Sequence, residues 1–119
     1  MLDSKLLVMK FGGTSVGTPA AMAQVVQIIQ STRSEWPAQV VVVSALSGVT
    51  NLLINSAIRA ARGEMDTFHS TVCELNDRHH EMAEILVSDP ARKNHLHQEI
   101  NHLIADFTNL CQAINVLGE

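Results

Sequence analysis

The apolar residues of this chain fall into two kinds of pattern. Residues 5–11 are short and mostly apolar, with Leu6, Leu7, Val8 and Met9 in a row, and residues 39–44 contain four consecutive valines. Neither run alternates. Continuous β-branched stretches of this length predict strands buried on both faces, as in a parallel sheet covered by helices. Between them, Thr18 is placed to cap a helix that starts at Pro19, with Met22, Val25, Val26 and Ile29 at helical spacing. The result is a β-α-β unit, whose crossover is expected to be right-handed. Ligands of open α/β sheets gather at the carboxyl ends of the strands, here residues 10–17 and 44–51.

Beyond this unit the period changes to that of helices. Leu53, Ile54, Ala57, Ile58 and Ala61 continue a helix from Leu52, which Gly63 is placed to end. Residues 66–88 carry Phe68, Val72, Leu75, Met82 and Leu86 at helical spacing, and Asp89-Pro90 reads as a stop and a new start. A long stripe follows, made of Leu96, Ile100, Leu103, Ile104, Phe107, Leu110, Cys111, Ile114 and Leu117. Two amphipathic helices joined by the break at residues 88–90 predict an antiparallel hairpin. Its stripe is wider than the other arm can cover, and two strands offer little further surface. The fold class is therefore α/β: parallel strands with a crossover helix, then a long helical hairpin. No internal repeat or low-complexity linker interrupts it.

Composition narrows the function classes. With 119 residues, 46% hydrophobic, 17% charged and a net charge of −4, the chain reads as a soluble globular protein with one core. Interspersed charges with no basic face argue against nucleic acid as a partner. There is no run of about 18 apolar residues and no basic segment leading into an apolar signal core, so no membrane partner is expected and the cytoplasm is the expected location. Cys73 and Cys111 are expected to be two buried thiols rather than a disulfide.

The candidate chemistry sits in the two loops. In residues 10–17, paired Gly12 and Gly13 open backbone conformations denied to other residues and let amide groups approach a ligand, while Thr14 and Ser15 add hydroxyls. A helix begins just beyond and offers its positive end to an anion. Lys10, at the end of the strand, can reach over the glycines toward a phosphate and neutralise charge on a moving phosphoryl group. Lysine precedes the glycines here, so this is not a Walker A loop. An ordinary tight turn is the alternative for the Gly-Gly-Thr-Ser segment. Residues 44–51 repeat the arrangement of strand, small hydroxylated residues, glycine and helix, which predicts one crevice lined by both loops. The alternative is that Thr50 or Asn51 only caps the next helix.

These residues resemble the aspartokinases. The string Lys10-Phe11-Gly12-Gly13-Thr14-Ser15-Val16 matches the family's N-terminal signature, and Ser44-Ala45 followed by Thr50-Asn51-Leu52-Leu53 matches its second motif at the usual separation. The resemblance implies an amino-acid kinase sandwich with a larger sheet, and ATP with nucleotide-borne Mg2+ as cofactors. It also implies transfer of a phosphoryl group to the side-chain carboxylate of aspartate, the first committed step toward lysine, threonine and methionine. Lys10 would contact the transferring phosphoryl group and, with Phe11, Gly12 and Gly13, the ATP phosphates. Ser44, Thr50 and Ser15 would bind aspartate. The resemblance further implies a homo-oligomer in the full-length protein, with residues 1–119 the N-terminal portion of one catalytic domain. The family's substrate-binding glutamate, its nucleotide-base site and its ACT domains would then lie elsewhere. Glu119 falls short of that glutamate, and residues 1–119 alone are expected not to turn over.

Other constellations have plainer readings. His95 and His102 are seven residues apart, and His95 and His97 point to different faces, so the spacing of the six histidines predicts solvated side chains and no metal site. Glu74, Asp77, Glu81 and Glu84 are expected to solvate an outer helix face, since transfer to an ionised carboxylate requires no dedicated base. Trp36-Pro37 is placed to close the loop into the second strand. Two rival functions stand beside the resemblance. One is a related kinase acting on glutamate, carbamate or uridylate; the other is a non-catalytic helical module pairing through the stripe around Leu103 and Phe107.

Overall fold

The structure is a computed structural model that describes residues 5–118. It contains β1 (Leu6–Phe11), α1 (Pro19–Thr32), β2 (Ala38–Val43), α2 (Val49–Ala61), α3 (Met65–Leu86) and α4 (Pro90–Leu117). The chain divides into two compact units, Met1–Gly48 and Val49–Glu119. The α/β class and the helical hairpin are as the sequence predicts.

In the first unit, β1 and β2 pair in parallel, from Leu6 opposite Ala38 to Phe11 opposite Val43. Thr18 caps α1 by accepting from the Ala21 amide at 3.1 Å, with Pro19 in the first turn. Trp36 ends the connection, its amide donating to the Thr32 carbonyl at 2.8 Å, and the Lys5 ammonium lies 5.8 Å from its ring centre. Gln39 ties β2 to α1: its side-chain amide donates to Thr32 Oγ1 at 2.8 Å and to the Ile29 carbonyl at 3.4 Å.

That bond identifies the sheet face turned to α1. Side chains alternate along a strand, so Leu7, Met9 and Phe11 share this face with Gln39, whereas Leu6, Val8 and Lys10 share the other with Val40 and Val42. The expectation of strands buried on both faces is not met. Val8 is 62% exposed and Val42 45%, both on the face away from α1, while Val43, at the end of its strand, is 54% exposed. A two-stranded sheet has two faces, and a single helix in the unit cannot cover both.

The second unit is a three-helix assembly with a core of Ala60, Phe68 and Cys111, flanked by Ala57, Met65, Val72 and Phe107. Gly63 ends α2 as predicted: it takes a left-handed conformation (φ 76°), its amide donates to the Ala60 carbonyl and the Glu64 amide to the Arg59 carbonyl. Asp89 caps α4 by accepting from the Arg92 amide at 2.9 Å, with Pro90 at its first position. The Cys111 thiol is buried, and desolvation raises its pKa. Cys73 is exposed, so the expectation of two buried thiols holds for Cys111 alone. Cys73 lies next to Val72 in sequence, and the helical turn of about 100° per residue carries it off the packed face. Leu103 and Leu110 are also exposed, on the outer flank of the α4 stripe.

Candidate active site

The first loop is two successive turns: the Ser15 amide donates to the Gly12 carbonyl at 3.0 Å and the Gly17 amide to the Thr14 carbonyl at 3.5 Å. Main-chain bonds hold residues 44–48 against it. The Ser44 amide donates to the Phe11 carbonyl at 3.0 Å, extending the parallel ladder, and the Ser47 amide to the Gly13 carbonyl at 3.1 Å. The two segments thus lie side by side at the carboxyl ends of their strands, as the β-α-β reading predicts.

The glycines serve this contact in a way the sequence did not disclose. Neither Gly12 nor Gly13 has positive φ; in this region only Gly48 does, at 84°, at the turn into α2. A Cβ on Gly13 would lie 3.2 Å from the Ala45 carbonyl oxygen, and one on Gly17 would lie 3.0 Å from Ser47 Cβ and 3.1 Å from the Gly13 carbonyl oxygen. These two residues must be small because the segments touch. A Cβ on Gly12 would meet nothing within 4 Å, which leaves its backbone open to an incoming group. Ser47, given no role by sequence reasoning, holds the second segment in place through its amide and fills the space beside Gly17. Paired small residues in both loops were the only signal for it.

The candidate side chains stand exposed around this joint. Lys10, Thr14, Ser15, Ser44 and Ser47 are all exposed. None of their side chains forms a hydrogen bond or ion pair among the described residues. A cavity of about 280 Å³ lies on the α1 side, lined by Phe11, Thr14, Ser15, Gln24 and Ile28 among others. Lys10 does not line it, because strand alternation directs its side chain to the opposite sheet face. The structure therefore joins the two loops through their main chains, but it does not bring Lys10 and Ser15 to a common cavity. The start of α1 has few amides to offer an anion: Pro19 has none, and those of Ala21 and Met22 are taken by the Thr18 hydroxyl and carbonyl. Thr50 and Asn51 belong to the second unit, where both are exposed in the first turn of α2. Neither side chain forms a capping bond there, so the capping alternative is not realised. Glu119 lies outside the described residues.

The same molecule can be set beside known proteins. A family profile described as "Amino acid kinase family" matches residues 5–115. The chain belongs to the amino acid kinase family. It is 52% identical over 52 residues to an aspartokinase of Pseudomonas aeruginosa, covering 44% of this chain and 13% of that protein. It is 32% identical over 112 residues to a chloroplastic bifunctional aspartokinase/homoserine dehydrogenase 2 of Zea mays, covering 92% of this chain and 12% of the relative. Among solved structures, E. coli aspartokinase III in complex with lysine and aspartate superposes with a TM-score of 0.73 at 28% identity, over 96% of this chain and 23% of that one. The chain thus spans roughly an eighth of the length of these curated relatives and about a quarter of the solved one.

The implied ligands can be tested against the residues present. The open backbone at Gly12 and the nearby Lys10 cation suit nucleotide phosphates, while the described residues contain no group of three or more His, Cys, Asp or Glu side chains arranged to hold a metal. No helix among the described residues is long and apolar enough to cross a membrane.

Proposed function

We propose that this chain is the N-terminal portion of an aspartokinase catalytic domain, which transfers the γ-phosphoryl group of ATP to the side-chain carboxylate of aspartate. The observation that carries the reading is the joint between the two loops. Gly13 and Gly17 permit backbone contact at the carboxyl ends of two parallel strands, and the side chains of Lys10, Thr14, Ser15, Ser44 and Ser47 around that contact have no partner among the described residues. Ligands of open α/β folds bind at this edge.

In this reading Lys10 neutralises charge on the moving phosphoryl oxygens, and the backbone of Phe11, Gly12 and Gly13 lies along the ATP phosphates. Ser44 and Thr50 hold aspartate, with Ser15 contributing from the first loop. Magnesium supplies further charge neutralisation when it arrives with the nucleotide. The acceptor carboxylate is already ionised at neutral pH, so the step needs positioning and charge neutralisation rather than a base. The residues completing the site belong to other parts of the protein, so residues 1–119 alone do not turn over. The protein works in the cytoplasm on the route to lysine, threonine and methionine, as a homo-oligomer.

The test is ADP release by the full-length protein with ATP, magnesium and aspartate, with glutamate and carbamate as rival acceptors. Aspartate-dependent turnover that falls about 10²–10³-fold in Lys10→Ala is expected from loss of one charge-stabilising group. Because Lys10 is exposed, the variant should melt like the wild type. A protein that binds ATP but is indifferent to aspartate would sink the reading.

A further inference from the structure

The α3/α4 hairpin brings together two histidines that lie 17 positions apart in sequence. His80 on α3 and His97 on α4 meet through their Nδ1 atoms, with ring centres 4.7 Å apart and ring planes inclined by 19°. Each ring is held from behind by an acceptor. His97 Nε2 donates to Glu84 Oε2 at 3.1 Å, and His80 Nε2 donates to Asn101 Oδ1 at 2.7 Å. Glu84 also accepts from Lys93 Nζ at 3.1 Å, and its pKa is lowered by the hydrogen bonds from Lys93 and His97, which keeps it ionised.

These partners decide the tautomers. A neutral imidazole carries one N–H, and in both rings it is committed to the outer acceptor at Nε2. Both Nδ1 atoms then present lone pairs to each other. Facing lone pairs repel, and a cation between them removes the repulsion. An imidazole whose far N–H is fixed by a carboxylate or an amide oxygen is also the common form of a metal-bound histidine, since that bond sets the ring's orientation and raises its basicity.

We propose that His80 and His97 form a two-histidine site for a borderline divalent cation such as Zn2+, Ni2+ or Cu2+, bound through the two Nδ1 atoms and fastening α3 to α4. Glu84 and Asn101 orient the rings without touching the ion, and water completes the coordination, because no third ligating side chain converges here among the described residues. Metal–nitrogen bonds of about 2.0–2.1 Å require the facing nitrogens to move apart, which side-chain rotation on the hairpin surface allows. Imidazole nitrogen suits these ions better than magnesium or calcium.

The test is equilibrium dialysis of the whole protein against Zn2+ without nucleotide. One ion per chain is expected, with affinity at least about tenfold weaker in His80→Ala and in His97→Ala, and about tenfold weaker in Glu84→Ala through loss of the orienting bond. His95→Ala and His102→Ala should bind as the wild type does. In the unmutated protein, Zn2+ should protect His80 and His97, but not His95, from acylation by diethyl pyrocarbonate, read by peptide mass spectrometry; this arm does not depend on any variant folding. Failure to take up Zn2+, or uptake and protection indifferent to these two histidines, would overturn the proposal.

Discussion

The two units dispose of their apolar residues in opposite ways. In the second, Phe68, Leu75, Met82, Ala83 and Cys111 are buried, and the polar groups of the hairpin largely pair with one another, as Lys93, Glu84, His97, His80 and Asn101 do. Among the described residues of the first, only Val16 and Val25 are buried, the valines of β2 lie exposed, and the side chains of Lys10, Thr14, Ser15, Ser44 and Ser47 are unpaired. The thinly packed unit is the one that carries the candidate chemistry. Polar groups left without protein partners are available to a ligand, whereas a dense core with satisfied polar groups supplies rigidity.

The contrast can be broken most forcefully at Phe68. Phe68→Ala removes the largest fully buried side chain of the helical core and should cost about 3–5 kcal/mol, measured by denaturant unfolding. Because Phe68 lies outside the loops, KM for ATP should hold in whatever fraction stays folded. The next effect lies in the loops themselves. Gly13→Ala puts a methyl group 3.2 Å from the Ala45 carbonyl, where only backbone can give way, so the loss should be about 1–3 kcal/mol together with most of the activity. Gly12→Ala, with open space around it, should leave Tm unchanged while raising KM for ATP. Equal effects at the two glycines would mean that contact between the segments is not what selects them.

Smaller effects sharpen the comparison. Thr18→Ala removes the cap of α1 and should lower stability by about 1 kcal/mol in thermal melts, with Thr18→Asn restoring most of it. The least is expected at Glu84. Its lowered pKa means that its pairing stabilises the fold above the ordinary glutamate range and that this contribution fades as pH falls through the lowered value. Glu84 is exposed, so the Tm difference between wild type and Glu84→Gln should be slight at neutral pH, should shrink with salt, and should vanish in acid.

What could be read in advance was local in character. Thr18 with Pro19, Asp89 with Pro90, and Gly63 are helix boundaries, set by hydrogen bonds and φ angles within a few residues of each. The string from Lys10 to Val16 was legible for the same reason, being a contiguous segment with a recognisable order. Burial was less legible. A run of valines says that a strand prefers cover on both sides, but not that cover is present, and Val8 and Val43 have little. Spacing along one helix likewise described His97 as a solvated residue, because its partners, His80 and Glu84, belong to the other arm of the hairpin.

The sequence by itself thus determined the order of the elements, their caps, and which loops carry glycines and hydroxyl residues, since these depend on neighbours along the chain. Only the tertiary structure decided why Gly13 and Gly17 are glycines, that Lys10 and the cavity beside α1 lie on opposite sheet faces, and that His80 meets His97. Each of those depends on a distance between residues remote in sequence, which packing sets and local propensity does not encode.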